Sequence, residues 1–312
     1  MSNTLRELAR RVRHKLFPST RRPRRVVLET TNRCNLNCPF CLVGMQNDLV
    51  AKHGNTAHDL LSRPMGTMSE EVFERIRAEI KAFGIEAAFL HFQGEPFLNR
   101  MTPEFARRLK ADGLYVGIFT NGQAFTDKNI AEVAAARPDL IRFSVDGASE
   151  ETYQKNRVGG VFANVVANMR KMAEATRGGP TRLEWQFLPL RNNEHEVETA
   201  RAMAEDIGVH FFTKGFRETD AELAPTNPAY RSSFLAKPCT DIYKQLGIYW
   251  NGDVVPCCYD VDGKAVMGNI MQRGLKEIWS APEYVRFRRC VDEAAANPAQ
   301  DPQICRSCLR WR

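Results

Sequence analysis

The sequence predicts a parallel α/β fold, and three observations point to it. Short runs of β-branched and aromatic residues recur six times with helical patterns between them, the alternation that builds a parallel sheet covered by helices. The residues with chemical character fall just after those runs, at the strand carboxyl ends where the active sites of such layers gather. From about residue 214 the alternation stops, and a Pro- and Asn-containing stretch leads into a cysteine-bearing tail with little room for another βαβ unit.

Taken in order, Arg25–Thr30 reads as a strand that feeds a cysteine loop, and residues 42 to about 66 read as a long polar loop. Ser69 is suited to cap a helix whose apolar stripe is Val72, Phe73, Ile76 and Ile80. Further strands are expected at about 86–92, 114–120, 140–145, 182–188 and 209–213, with helices at about 102–112, 126–136, 149–175 and 195–207. Six strands are too few for a closed eight-stranded barrel. Past the change of pattern, Ile248-Tyr249-Trp250 and Asp253-Val254-Val255 flank Asn251-Gly252, a pair suited to a type I′ hairpin turn. Pro256 ends the second strand, and a short helix from about Leu275 to Ser280 carries Ile278 and Trp279. There is no internal repeat and no low-complexity segment.

Composition narrows the function classes. The 312 residues, 43% apolar, can bury a sizeable core, yet no apolar run approaches the ~20 residues that span a bilayer. The amino terminus is basic but lacks an apolar signal region. Nine cysteines in such a chain read as reduced metal ligands rather than a disulfide framework, so a reducing cytoplasm is the expected location. The net charge of +7 comes from residues 1–25, where nine Lys or Arg face one acid, Glu7; the remaining 287 residues sum to −1. The folded body therefore has no overall attraction for nucleic acid. The tail places Leu5, Leu8, Val12 and Leu16 at helical spacing among arginines, a pattern shared by helices at membrane or acidic-partner surfaces and by solvated helices packed on their own domain.

Cys34, Cys38 and Cys41 stand as Cys-x3-Cys-x2-Cys after the first strand. Three thiolates on one short loop fit a cubane iron–sulfur cluster with one iron left open, where four cysteines would close it. A structural zinc site wants four closed ligands, and no fourth Cys or His lies near in sequence. The stretch Thr31-Asn32-Arg33-Cys34-Asn35-Leu36-Asn37-Cys38-Pro39-Phe40-Cys41 resembles the signature of the radical SAM superfamily. The resemblance covers nearly everything from Val26 to Arg312. It implies a partial (β/α)6 TIM-like barrel over 26–218, with the open iron holding the amino and carboxylate groups of S-adenosyl-L-methionine (SAM).

Other motifs extend it. Gln93-Gly94-Glu95-Pro96 is similar to the family's Gly-Gly-Glu-Pro motif, with Gln93 in place of the first glycine. The motif implies that Gly94 and Glu95 hold the amino group of SAM; the residues alone also suit an ordinary strand-to-helix turn. Thr120-Asn121-Gly122 and Ser144-Val145-Asp146-Gly147 resemble further motifs at the barrel rim, with Ser144 suited to a ribose oxygen. Arg157 is a candidate for the cofactor carboxylate or a solvated surface arginine. Gln186 is a candidate for cofactor or substrate on the polar face of the fifth strand, Asp146 for a turn cap, and His91 for a packed strand residue.

The tail carries a second set. Cys239-x12-Gly252-x4-Cys257, then Cys305-x2-Cys308, resembles the SPASM region in its shortened twitch form. Over 235–312 this implies one auxiliary cubane bound by Cys239, Cys257, Cys305 and Cys308, so two [4Fe-4S] clusters in all; four thiolates also make a zinc knuckle. Cys258 and Cys290 are left over. Cys258 is expected near the face between that cluster and the barrel mouth, either as a structural thiol or as a hydrogen-atom donor, and Cys290 as a packed residue.

The resemblance implies a reaction: SAM is cleaved reductively, with electrons from an external reductant such as flavodoxin or ferredoxin, and hydrogen is abstracted from a substrate. Two-electron oxidation is the expected outcome. Epimerisation with Cys258 returning hydrogen, and peptide maturation, are the alternatives. A 25-residue tail is too short for an appended leader-binding domain, which favours a sugar- or aminocyclitol-like small molecule or a partner-delivered peptide. A zinc-bearing binding module is the remaining non-enzyme class. Protein purified without oxygen is expected to be brown and to hold roughly eight irons per chain; colourless, zinc-bearing protein would exclude the radical reading.

Overall fold

The computed structural model describes residues 22–54, 60–216, 221–231, 239–294 and 305. Most of the basic tail lies outside them. Six parallel strands appear where the alternation places them: β1 (Arg25–Leu28), β2 (Ala87–Leu90), β3 (Tyr115–Thr120), β4 (Leu140–Ser144), β5 (Arg182–Phe187) and β6 (His210–Thr213). Each pairs with its sequence neighbour, and three further strands, β7 (Gln245–Ile248), β8 (Asp253–Val255) and β9 (Gly268–Asn269), extend the sheet beyond β1. The order is β6-β5-β4-β3-β2-β1-β7-β8-β9, an open sheet rather than a closed barrel. It curls nevertheless, because one cavity is walled by residues on or just after every strand from β2 to β6.

Side chains alternate across each strand. Val26, Leu28, Ala88, Leu90, Val116, Ile118, Ile141, Phe143, Leu183 and Trp185 are buried in the main core, which the helices cover from outside. Phe119, Arg142, Ser144, Gln186 and Phe212 take the other face and line the cavity. The covering helices between strands are α2 (Glu70–Phe83), α3 (Thr102–Ala111), α4 (Asp127–Ala136), α6 (Phe162–Ala175) and α7 (Val197–Ile207). Their starts follow local chemistry. The Ser69 hydroxyl accepts from the Val72 amide, and Thr126 and Asn129 form a reciprocal capping box.

Three local readings are corrected. The polar stretch after Cys41 is helical, α1 (Leu42–His53), not a loop. Its polar residues are engaged in tertiary contacts: Asn47 Nδ2 donates to the Cys34 and Leu36 carbonyls at 3.1 and 3.2 Å, and buried Gln46 accepts from the Leu60 amide. The long helix expected over 149–175 is two, α5 (Glu150–Asn156) and α6, interrupted at Gly159-Gly160, where Gly159 has φ +87°. The hairpin forms with a different turn. Gly252 N donates to Tyr249 O at 2.9 Å, so Trp250 and Asn251 are the central turn residues. Only Gly252 has positive φ, +90°, the pattern of a three-residue loop with a glycine bulge.

The carboxyl-terminal region is continuous with the core sheet. β7 runs parallel to β1 in the register Arg25↔Gln245 to Leu28↔Ile248, and β8 returns antiparallel. Two helices, α8 (Leu275–Ser280) and α9 (Pro282–Ala294), complete this region, and α8 packs on α2.

Asn99, 3% exposed, ties three segments together: its Nδ2 donates to Thr30 O and Met68 O at 3.0 and 3.1 Å, and its Oδ1 accepts from Met101 N. Asn99→Ala takes a donor from the Thr30 and Met68 carbonyls, the former keeping the Met68 amide, and the acceptor from Met101 N; it is expected to cost about 2 kcal/mol, read as a lower thermal midpoint with the fold retained by circular dichroism.

Candidate active site

The cysteine loop follows β1 and is pinned from three sides. Asn32 Oδ1 accepts from Gly66 N at 2.7 Å and Thr31 Oγ1 donates to Gly66 O at 2.7 Å. Asn37 N donates to Val158 O, and Glu95 N donates to Arg33 O, at 2.9 and 2.8 Å. Leu36, 1% exposed, plugs the loop into the core. Gly94 is what lets the end of β2 lie on this loop: it has φ +80°, and a Cβ there would sit 2.5 Å from Thr31 O and 2.6 Å from Arg33 O. Its close approach is thus to the chain's own backbone.

Glu95 is 1% exposed and spends its carboxylate inside the protein. It accepts from Thr120 Oγ1 and Asn121 N, both at 2.7 Å, and from Phe97 N at 3.1 Å. Burial pushes its pKa up to about 7 against those donors. The sequence motif assigns Glu95 to the cofactor amino group; its three donors make it first a clamp between the ends of β2 and β3. Asn121, held by that clamp, directs Nδ2 at Asn35 Oδ1 (2.9 Å) and towards Cys34 Sγ (3.8 Å).

Arg157 caps the carboxyl end of α5 where Gly159-Gly160 breaks the helix. Only 13% of its side chain is exposed, and it is paired with fully buried Asp146, Nη2 to Oδ2 at 2.6 Å. Its Nη1 lies 3.8 Å from Cys38 Sγ and its Cζ 5.4 Å from the Phe40 ring centroid. Arg157 is therefore not a solvated surface residue. Asp146 is the anchor of an ion pair, and its other oxygen accepts from Leu188 N at 2.7 Å, so it does more than cap a turn.

These elements enclose a cavity of about 430 Å³ lined by Cys34, Cys38, Cys41, Gly94, Glu95, Ser144, Arg157 and Gln186, all of the sites expected for cofactor and first cluster. Ser144 and Gln186 sit in register on β4 and β5. Burial and the Glu95 charge push Cys34 up to about 12; burial raises Cys38, with Arg157 opposing. Such thiols stay protonated until a metal's positive charge displaces the proton. The arrangement fits an iron–sulfur cluster with one side open to the cavity: the thiols line it, and N–H donors from Asn121 and Arg157 approach two of the sulfurs.

The sequence missed part of the wall. His91 stacks on Phe119 with ring centroids 4.2 Å apart, and Arg142 lies over Phe119 at 4.2 Å and Phe212 at 4.9 Å while pairing with Glu184 at 2.7 Å. Lys214 completes this basic, aromatic face. Burial, then Lys214 and Arg142, lower the His91 pKa to about 3, so the imidazole is neutral. The period-two pairs Arg142-x-Ser144 and Phe212-x-Lys214 were the available signal.

The second cysteine set is elsewhere. Cys258 Sγ lies 3.9 Å from Gln245 Nε2, and Gln245 Oε1 accepts from Arg25 Nε at 2.8 Å. Gln245 and Arg25 begin β7 and β1, so Cys258 sits at the amino ends of strands whose carboxyl ends lead towards the first thiols. It is not among the residues that line the cavity, although Lys214 of the cavity wall acts on it electrostatically. Tyr259 N lies 3.5 Å from Cys257 Sγ, and Cys239 and Cys305 are buried in the main core. Cys308 lies outside the described residues.

Residues 28–203 match the Radical SAM superfamily. The chain is a radical SAM enzyme. Residues 239–309 match the SPASM iron–sulfur cluster-binding domain, so SAM and [4Fe-4S] clusters are its cofactors. A PqqA peptide cyclase of Xanthomonas campestris pv. campestris is 26% identical, covering 92% of this chain and 79% of that protein. Among solved structures, Streptococcus suis SuiB bound to the precursor peptide SuiA superposes with TM-score 0.66 at 14% identity, covering 92% and 73% of the two chains. BtrN in complex with AdoMet and 2-DOIA gives TM-score 0.55 at 17% identity, covering 89% and 91%. No described helix of this radical SAM enzyme is long and apolar enough to cross a membrane.

Glu95→Gln sets an amide N–H₂ against donors that now meet a carboxylate. It is expected to destabilise by about 2 kcal/mol and to reduce iron bound at the amino-terminal thiols, measured by thermal melting and iron analysis.

Proposed function

We propose that this enzyme oxidises a peptide side chain by removing a hydrogen atom inside the cavity and passing the remaining electron and one proton away from it. The observation that carries the reading is the disposition of the two cysteine sets, beyond opposite ends of short parallel strands. Four residues of β1, Arg25–Leu28, span roughly 10 Å at ~3.3 Å per step. A substrate held between them meets radical chemistry on one side and an electron acceptor on the other.

When bound, the SAM-ligated cluster supplies a 5′-deoxyadenosyl radical and the auxiliary cluster an electron acceptor. Cys34, Cys38 and Cys41 would hold the first; Cys239, Cys257, Cys305 and Cys308 the second. The chain's own residues do the rest. Arg157, fixed by Asp146, is positioned to take the cofactor carboxylate; Ser144 and Gln186, which make no side-chain hydrogen bond to described residues, remain available for ribose or substrate. Stacked aromatic rings exclude water from the cavity wall, and Arg142 and Lys214 favour an anionic group on the substrate. The electrons for SAM cleavage come from an external reductant of the flavodoxin or ferredoxin type.

The peptide class is favoured by the PqqA peptide cyclase relative, which covers most of this chain. A small alcohol or amine is the second reading, supported by the modest cavity of about 430 Å³. Epimerisation through Cys258 is less favoured, since that thiol is not in the cavity wall.

Anaerobic turnover with SAM, dithionite and short peptides encoded beside this gene tests the reading. A peptide product lighter by a pair of hydrogen atoms, formed with 5′-deoxyadenosine, is expected. Cys34→Ala should abolish both, whereas Cys305→Ala should spare SAM cleavage more than product. A product of unchanged mass in ordinary water that gains one deuterium on carbon in deuterated water, the gain being lost in Cys258→Ala, would overturn oxidation in favour of epimerisation.

A further inference from the structure

The region of the second cysteine set contains a buried cation with two of its N–H groups unpartnered among the described residues. Arg288, on α9, is 1% exposed. Its Nη2 donates to Trp279 O at 2.7 Å, but Nε and Nη1 are buried with no hydrogen-bond partner among the described residues. No carboxylate forms an ion pair with it there. Three aromatic rings surround it: those of Trp279 and Tyr284 lie 4.4 Å from Cζ and that of Tyr243 6.0 Å. The Tyr284 hydroxyl is likewise buried and unpartnered.

A guanidinium carries five donors and does not shed its proton. Burying it with two N–H edges empty is unfavourable unless an anion completes the site. The carboxylate nearest in sequence on this helix face, Asp292, instead accepts from the Tyr243 hydroxyl at 2.6 Å. Asp292 still acts on Arg288 electrostatically, but it fills neither empty N–H edge, which leaves room for a second anion. Burial raises the Tyr284 pKa and Cys257 adds to it; burial and Asp292 raise Tyr243 and Cys239 adds to it. Both rings that flank Arg288 therefore lie within electrostatic reach of auxiliary-set thiols, in the same core as Cys239 and Cys305.

We propose that Arg288 is the counter-charge of the auxiliary cluster, its free N–H edge directed to the anionic thiolate and sulfide surface, with the Tyr284 hydroxyl as a second donor. This rests on the reading that Cys239, Cys257 and Cys305 carry that cluster. A four-thiolate cubane is net anionic, and its potential is set by net charge and by hydrogen bonds to its sulfurs. Arg288 makes the cluster easier to reduce, which suits an acceptor of the substrate's electron. It is a tuning residue and touches no substrate.

The test uses the full chain with Cys34, Cys38 and Cys41 all replaced by Ala, so that only the auxiliary cluster is reconstituted. Roughly four irons per chain are expected. An absence of iron there would defeat the auxiliary-cluster reading itself, separately from the role of Arg288. With iron bound, redox titration followed by electron paramagnetic resonance should place the Arg288→Met midpoint below that of the parent, with Arg288→Lys recovering much of the difference. Arg289→Met, an exposed arginine on the same helix, should leave it unchanged. Loss of iron in Arg288→Met but not in Arg288→Lys would also support a required charge. Equal midpoints in parent and Arg288→Met, an equal shift in Arg289→Met, or iron lost from both folded Arg288 variants would overturn the proposal.

Discussion

The contact on which the site depends is backbone against backbone: the end of β2 lies on the cysteine loop through the Glu95 N to Arg33 O hydrogen bond at 2.8 Å. It requires a residue without a Cβ at position 94, since any other would run into the Thr31 and Arg33 carbonyls. Once that contact forms, the Glu95 carboxylate reaches Thr120 and Asn121, and Asn121 reaches Cys34. Three strand ends are thereby registered on the loop that carries the thiols. A buried carboxylate is unfavourable in isolation; here three hydrogen bonds offset part of the desolvation, burial still holding the pKa up at about 7, and they tie the ends of β2 and β3 to the loop whose thiols line one cavity.

The opposite wall uses a different device. At the carboxyl end of α5, Arg157 meets Asp146, which follows β4. Two unlike anchors, a carboxylate hub and a buried ion pair, thus aim donors at two different sulfurs. Between them the inward faces of β3 to β6 supply aromatic and basic side chains to the cavity wall.

Continuity of the sheet links the two ends of the molecule. Because β7 pairs with β1 in register, the hairpin leading to Cys257 is held by the same ladder that leads to Cys34. Relative placement of the two cysteine sets is then a matter of strand length, and not of a hinge. The carboxyl-terminal region differs in one respect: its buried charge, Arg288, is left open among described residues where those near the cavity are paired.

The strand and helix alternation, the cysteine spacing and the Gly-Glu motif were readable from the chain because each is a local pattern: hydrophobic period, turn chemistry and ligand spacing act within a few residues. The cofactor-side candidates in the cavity came from such patterns together with the resemblance to the radical SAM superfamily. Polar residues whose partners are distant could not be read this way. Gln46 and Asn47 gave α1 the look of a loop because their hydrogen bonds close only in the folded chain, and Arg157 showed its ion pair only once the glycine break appeared. His91, Arg142 and Lys214 carry no motif; they share a cavity because the sheet curls. Sequence by itself determined the fold class and the thiols, since those depend on near neighbours. Tertiary structure decided which end of the strands each thiol set occupies and which cations are left unpaired, since burial and counter-charge depend on residues far apart in the chain.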